Sequence, residues 1–524
     1  MKKILFISGA LVFGLSITSC KKFLTEEPLM QVPTENFFRT LGDVDAAMAG
    51  IYGSFQVEMT GRGGNAASVP FSGKYHYWGE GRSDNFEAGQ YANTVIRELE
   101  VNTLTSGNSA SNWEGLFRTI GRTNLAIANI PRAAELDNRI TPILRDNYLA
   151  QSYAMRALSY FYIVRLWGDA PIWTEVYDDY TKESKRARES KDKIMDEIII
   201  PDLEKAYSLI QKNATANVWQ INEAAIAAIM ADVYMWKAGT ENDSQNYYDA
   251  LTWFDNVFRA KAPTGKIFGG TLITDLEPIE DWKNKLFLAP ATSKESIWSI
   301  NWDPTVNGCA CIPVGVGTNN NPIRIDSVLH RDWRRDATDR RMVNTLDTSS
   351  SNTGAIDKLT KYYNIPVLGR GIPGPPNGIA PIDRPVYLVM YRLGDVFLSY
   401  AEALNRTGDR TNALKYLNFI RVRAGKVALD AFDVRVGDEE SLAFEIIQER
   451  RLELFGEGKR WFDLVRTNNV NRVMDDVTNR RMTTVQGGIA FTDGWGTDMG
   501  RLVWPIFRTL LEDNKNLVQN ESYR

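Results

Sequence analysis

The sequence predicts a mainly α-helical protein, a scaffold of antiparallel helix pairs that carries an irregular, loop-rich subdomain. Three observations predict it. Apolar residues recur at helical spacing along much of the first half and the C-terminal part of the chain. Two stretches, Ile221–Ala260 and the one from Leu393, read helix, break, helix, and in the second small residues sit where the partners would meet. Residues 261–385 break that pattern, being rich in Gly, Pro, Asn and Trp with few helical periods.

The chain opens with Lys2 and Lys3, an apolar run from Ile4 to Ile17, the small pair Thr18-Ser19, and then Cys20. That is the order of a secretory signal. The run is shorter than the roughly 20 residues a spanning helix needs. A cysteine at the expected cleavage point reads as a lipid attachment site. Residues 1–19 are therefore expected to be removed, with acyl chains on Cys20 as the anchor and residues 20–35 as a tether. The alternative is a secreted protein with an incidental cysteine.

Residues 36–260 are expected to form a helical scaffold, interrupted by an irregular insertion at 60–107. Trp113 to Leu136 carries Leu116, Phe117, Ile120 and Leu125 at helical spacing. Leu144 to Trp167 is apolar on several faces, as a central buried helix should be. Gly168 ends it and Pro171 prevents its resumption. Lys191–Gln211, Ile221–Ala238 and Tyr247–Ala260 predict three more helices. In the loop-rich part, Gly369–Pro385 (GRGIPGPPNGIAPIDRP) must be loop, and long loops on a rigid scaffold are where binding usually resides. A C-terminal helical scaffold is expected over 386–524. There Leu393–Gly425 reads as two helices broken at Thr407-Gly408-Asp409, with Ala401 and Ala413 at the close approach. This layout is similar to a tetratricopeptide pair.

Composition narrows the function. A formal charge of −4, or −6 without Lys2 and Lys3, argues against a nucleic-acid partner. Only His76 and His330 are present, too few for most histidine-based catalysis or for a structural zinc site. Cys309 and Cys311 either close a tight disulfide or are two loop thiols. GRGGNA (Gly61–Ala66) has the outline of a dinucleotide loop but lacks the flanking strand and helix, so no cofactor is expected. Neither a Gly-x-Ser-x-Gly elbow nor a His-Glu-x-x-His pair occurs. With 14 Trp residues, most rings will be core, yet some remain candidates for stacking on a ligand.

Five blocks in order carry a family resemblance. They are MRALSYFYIVRLWGDAPIW (Met155–Trp173), YRLGDVFLSYAEALNRTGD (Tyr391–Asp409), LNFIRVRAG (Leu417–Gly425), EIIQERRLELFGEGKRWFDLVR (Glu445–Arg466) and LVWPIFRTLLEDNKNLVQN (Leu502–Asn520). Together with the start CKKFLTEEP, they resemble the SusD/RagB family of Bacteroidetes surface lipoproteins. The resemblance spans nearly the whole chain after Ser19. It implies a tetratricopeptide-like fold, an outer-membrane location facing the exterior, and a SusC-like TonB-dependent transporter as partner. It further implies non-enzymatic capture of an oligosaccharide, or of peptides in some members, for nutrient uptake.

Sugars present apolar C–H faces and rings of hydroxyls, so their sites need flat aromatic platforms beside planar hydrogen-bonding groups. The predicted loop Tyr75–Gly89 offers Tyr77 and Trp78 next to Arg82, Asp84 and Asn85. Trp78 and Arg82 are the leading candidates; Asp84 and Asn85 fit turn-forming as well as binding. Trp282, Trp302 and Trp333 are further platform candidates, whereas Trp298 alternates within SIWSINW like a buried strand residue. The carboxylates of Glu445–Arg466 could suggest a glycoside hydrolase. Opposite charges one helical turn apart, beside Ile447, Leu454 and Phe455, assign the block to the scaffold instead.

Overall fold

The computed structural model describes residues 37–61, 73–177, 184–303, 321–346, 359–363, 385–485 and 493–524. Cys20, Cys309, Cys311 and all but the first residue of GRGGNA lie outside these ranges. The first half is built on α1 (Leu41–Thr60), α2 (Lys74–Gly79), β1 (Phe86–Ala88), α3 (Thr94–Glu100), α4 (Glu114–Leu136) and α5 (Pro142–Trp167). The capping box of α1 is reciprocal. Thr40 Oγ1 accepts from the Asp43 amide, and Asp43 accepts from the Thr40 amide at 2.8 Å. In α5, Thr141 caps the start, Pro142 fills the first turn, and Gly168 at φ +74° closes the end. Every residue from Met155 to Trp167 in α5 is buried, as expected of a central helix.

The scaffold continues through α6 (Lys191–Ile194) and α7 (Ile200–Leu209), joined by a π-helical turn at Met195–Ile199. The widened turn ends two residues before Pro201, which has no N–H to return to the preceding turn. Next come α8 (Glu223–Glu241) and α9 (Gln245–Arg259), then α10 (Ile279–Leu286), β2 (Ser296–Trp302), β3 (Ile323–Ile325), α11 (Ser327–Arg335) and α12 (Arg341–Thr345). The C-terminal part holds β4 (Val386–Arg392), α13 (Leu393–Arg406), α14 (Arg410–Arg423), α15 (Glu439–Glu453), α16 (Arg460–Arg466), α17 (Val470–Val485) and α18 (Arg508–Asp513). Sequential helices pack as pairs: α4 on α5, α8 on α9, and α13 on α14. Ala401 and Ala413 are both fully buried, which permits the close approach of the last pair.

Two antiparallel sheets of two strands tie the irregular regions to the scaffold. In the first, β1 pairs with β3 in the register Phe86↔Ile325. In the second, β2 pairs with β4 from Ser296↔Arg392 to Trp302↔Val386. The region 261–385 thus holds more regular structure than its composition predicts, because Gly and Pro concentrate in the connections while helices α10–α12 use short amphipathic runs.

The segment Tyr75–Gly89, predicted as a loop, is instead helix α2, a turn and strand β1, nearly all buried. Its position depends on a glycine contact. A Cβ on Gly79 would lie 2.0 Å from the Gly458 carbonyl oxygen, so only glycine lets α2 meet the turn between α15 and α16 backbone to backbone.

The block Glu445–Arg466 also differs from expectation, in how its charges pair. It folds as two helices, α15 and α16, with Gly456 and Gly458 at positive φ in the turn between them. Ile447, Leu454 and Phe455 are buried as predicted. The charges, however, mostly pair across the molecule rather than along a helix; Asp463–Arg466 is the local exception. Glu453 binds Arg392 at 2.6 Å, Arg423 at 2.5 Å and Arg341 at 3.2 Å. Glu457 binds Lys361 at 2.7 Å and Arg392 at 2.8 Å, and Glu449 binds Arg341 at 2.6 Å. Burial alone would raise the Glu453 carboxyl, but Arg423, Arg392 and Arg341 together hold it well below the usual range.

Candidate functional site

The residues singled out for ligand contact occupy the core. Trp78 is fully enclosed (0 % exposed); its Nε1 donates to the Ala110 carbonyl at 2.9 Å and its ring meets Trp167 edge-on at 5.6 Å. Tyr77 beside it is buried too. Arg82 lies against both Trp461 and Trp495, at 4.5 and 5.0 Å from the ring centroids, and the two indoles also touch each other at 5.1 Å. Its guanidinium donates to the Leu502 carbonyl at 3.0 Å, to Asn102 Oδ1 at 2.6 Å, and to the Arg501 carbonyl. Burial lowers the Arg82 pKa to about 10, which leaves it charged at neutral pH.

Asp84 and Asn85 are clamps for the α15–α16 region. Asp84 binds Arg460 at 2.8 Å and Arg451 at 3.0 Å. Against the raising effect of burial, those two cations hold its carboxyl below the usual range. Asn85 donates to Glu80 at 2.8 Å and accepts from Arg451 at 3.0 Å. Trp282 is buried edge-on against Phe287, and Trp333 packs its ring on Phe455 at 5.6 Å. Trp298 is buried in its strand, as expected. None of the six aromatic and arginine candidates, nor Asn85, presents an open surface, which corrects the expectation of exposed platforms. The signal misread was composition: Trp next to Arg and Asp is as much the mark of a buried cation–π and ion-pair core as of a sugar site.

Trp302 is buried for a reason of register. It pairs with Val386 and, with Ile300 and Leu388, points inward. The next pair, Asn301↔Tyr387, must then point to the other face. Asn301 is exposed and Tyr387 half-buried, and Tyr387 meets the half-buried ring of Trp219 with centroids 5.0 Å apart and planes 46° apart. Trp219 is delivered by the turn before α8, where Val218 accepts from the Ser299 amide at 2.9 Å. Gln56, near the end of α1, donates from its amide to the Asn301 carbonyl, and Asp303 lies close enough to Tyr387 to help burial raise its hydroxyl pKa. Two aromatic faces thus sit among planar amides and a carboxylate. The end of α1, the end of β2 and the start of β4 meet here, so the chain after α1 and the connection from β2 round to β4 both leave from this point. Strand alternation in VYLVMYR would have pointed to Tyr387; Trp219 has no local sequence signal beyond standing before the Asn222 helix cap.

A second aromatic surface lies at a cleft of about 450 Å³ between α4 and the chain after α5, lined by Phe117, Leu125, Trp173 and Tyr177 among others. Residues 172–177 form its wall. Trp173, Glu175 and Tyr177 face this cleft, while Ile172 and Thr174 face a polar one of about 650 Å³ on the other side. Arg186 stacks on Trp173 at 3.8 Å and pairs with Glu175. Its polar lining is already committed: Asn124 donates to the Trp173 and Glu175 carbonyls at 3.1 Å each and accepts from Arg156. The cleft therefore offers apolar wall more than it offers hydrogen bonds.

Comparison with known proteins accounts for this architecture. Two family models match successive parts of the chain. "Starch-binding associating with outer membrane" matches residues 64–235, and "SusD family" matches residues 383–523. SusD-like protein P38 of Formosa agariphila is 25% identical over the full length of both chains. A SusD-like protein of Bacteroides ovatus is 22% identical, covering 88% of this chain and 82% of its own. Among solved structures, a SusD homolog from Bacteroides thetaiotaomicron superposes with a TM-score of 0.71 at 19% identity, covering 93% of this chain and 98% of that one. A putative sugar binding protein from Bacteroides vulgatus gives 0.67 at 21% identity, covering 93% and 99%. Among the described residues no helix is long and apolar enough to cross a membrane.

Proposed function

This chain belongs to the SusD-like family of nutrient-binding proteins, and from that premise we propose that it is a non-catalytic surface lipoprotein that captures an oligosaccharide. In this reading it passes the ligand to a SusC-like TonB-dependent transporter in the outer membrane, and acyl chains on Cys20 hold it there. The observation that carries the glycan assignment is the Trp219–Tyr387 ring pair set among Gln56, Asn301 and Asp303. Sugar C–H faces stack on the rings, and the amides and the carboxylate accept and donate at the hydroxyls. The starch-binding description of the matching family model and the sugar-binding name of a structural neighbour support the same class.

Within Glu445–Arg466, the block whose carboxylates could suggest a hydrolase, Glu449, Glu453 and Glu457 are each bound by cations in the core, which favours the scaffold role. Titration of the purified chain with a panel of neutral oligosaccharides and, in parallel, extended peptides tests the class. Saturable heat with at least one glycan and none with peptides is expected. Peptide binding alone would move the chain to the peptide-binding members, and release of reducing sugar would make it an enzyme.

A further inference from the structure

Helix α4 carries a glycine that its own packing does not explain. Phe117, Gly121 and Leu125 stand four residues apart and so share one stripe of the helix. All three line the cleft of about 450 Å³ between α4 and the chain after α5. Phe117 and Leu125 are half-buried apolar residues, and the position between them has no side chain. Glycine is among the poorest residues for a helix interior. A Cβ at Gly121 would meet nothing within 4 Å, and its φ is not positive, so neither a close approach nor the backbone requires glycine there. What its absence of a side chain provides is a notch in the apolar stripe, on the same cleft as Trp173 and Tyr177.

The walls select an uncharged aromatic occupant. Trp173 and Tyr177 meet edge to face, with centroids 5.7 Å apart, and both rings remain partly open, Tyr177 at 41 % exposed. A further ring entering beside them and Phe117 gains oriented ring–ring contact in addition to burial, which an alkyl group does not. The charges at the cleft are already paired or bonded. Glu175 holds Arg186, Arg118 holds Glu114 at 2.8 Å, and Arg122 donates to the Gly50 carbonyl. Asn124 is committed on both sides of its amide, to the Trp173 and Glu175 carbonyls and to Arg156. Ser184 adds one hydroxyl, too few for a sugar ring, which would have to replace several hydrogen bonds to water. The volume lies in the range of small-ligand pockets.

We propose that this cleft binds a neutral aryl group, free or carried on a glycan, at a site separate from the Trp219–Tyr387 pair, with Gly121 as the notch that admits the ring. The two sites share no residue. Equilibrium dialysis of the purified chain tests it with three probes: β-naphthol, its fully saturated decahydro counterpart, and naphthyl β-glucoside. The wild-type chain should bind naphthol saturably and several-fold more tightly than the saturated compound. Gly121→Leu fills the notch and should weaken naphthol binding about tenfold or more. Its unfolding midpoint should stay level or rise, since leucine is the better helix former and its Cβ meets nothing. Tyr177→Ala, at an exposed position, should weaken naphthol binding several-fold. Glucoside bound by the wild type and lost in Gly121→Leu supports a ring carried on a sugar; naphthol bound with the glucoside excluded supports free aryl compounds. Oligosaccharide affinity should be unchanged in Gly121→Leu. No saturable naphthol binding, or binding equal to wild type in both variants, overturns the site. Equal affinity for the saturated compound overturns the aromatic assignment, and a fall in oligosaccharide affinity in Gly121→Leu overturns the separation from the glycan site. A wild-type chain that binds naphthol as expected but no oligosaccharide would sink the glycan reading and leave this cleft standing.

Discussion

Arg392 and Glu453, 61 residues apart in the chain, form an ion pair of 2.6 Å with both side chains sealed from solvent. Arg392 ends the strand that pairs with β2, and Glu453 ends helix α15, so the pair bolts the sheet of the loop-rich region to the C-terminal scaffold. Removing one partner leaves uncompensated charge in a dry setting. Glu453→Gln is expected to cost about 3–5 kcal/mol of stability, the range for breaking a buried pair. The urea midpoint measures it; a loss below about 1 kcal/mol would mean water reaches the cluster.

Acid should weaken the protein through the same chemistry. The folded-state pKa of Asp84 is depressed, since Arg451 and Arg460 outweigh the raising effect of its burial. A depressed carboxylate contributes stability that is present above its unfolded pKa of about 3.9 and is lost as pH falls through the lower folded value. Asp84→Asn removes that contribution. The stability gap between wild type and Asp84→Asn should therefore be widest near pH 7 and narrow below pH about 4. A gap independent of pH would show that Asp84 is not ionised in the folded chain.

Trp78 separates structure from binding. Replacing a fully enclosed indole that bonds Ala110 should cost about 3–5 kcal/mol. Under conditions where Trp78→Ala remains folded, ligand affinity should stay within about twofold, because the ring is not at the proposed surface and distant sites act independently. Thermal unfolding and calorimetry on the same preparation give both values. A large affinity loss with intact stability would return Trp78 to the binding site.

Cys20 tests the address. Cys20→Ala should abolish incorporation of labelled palmitate and impair uptake while ligand affinity in solution is unaffected. Parallel loss of affinity would mean the cysteine has a structural role.

The helical scaffold could be read from the sequence because its signals are local. Pro142, Gly168, Asn222 and Asp409 stand at or next to the ends of helices, and the 3.6-residue periods between such marks survive in the folded chain. The charge core could not be read, because Glu449, Glu453 and Glu457 look like the solvated face of one helix until Arg341, Lys361 and Arg392 arrive from other elements. The platform residues failed for a related reason. Whether Trp302 or its neighbour Asn301 faces solvent depends on a strand register with β4 some eighty residues away, and one step of register exchanges the faces. Trp219 reaches Tyr387 only through that same pairing.

Trp219→Ala is the direct test of where and what this protein binds. Isothermal titration with the oligosaccharide that gives the strongest wild-type heat should show affinity reduced by roughly 1–3 kcal/mol, the range for losing one aromatic stacking partner. Trp219 is half-buried at the surface, so the variant should remain folded. Undiminished affinity in Trp219→Ala, or no heat from the wild-type chain with any oligosaccharide, would contradict a glycan site on the Trp219–Tyr387 pair.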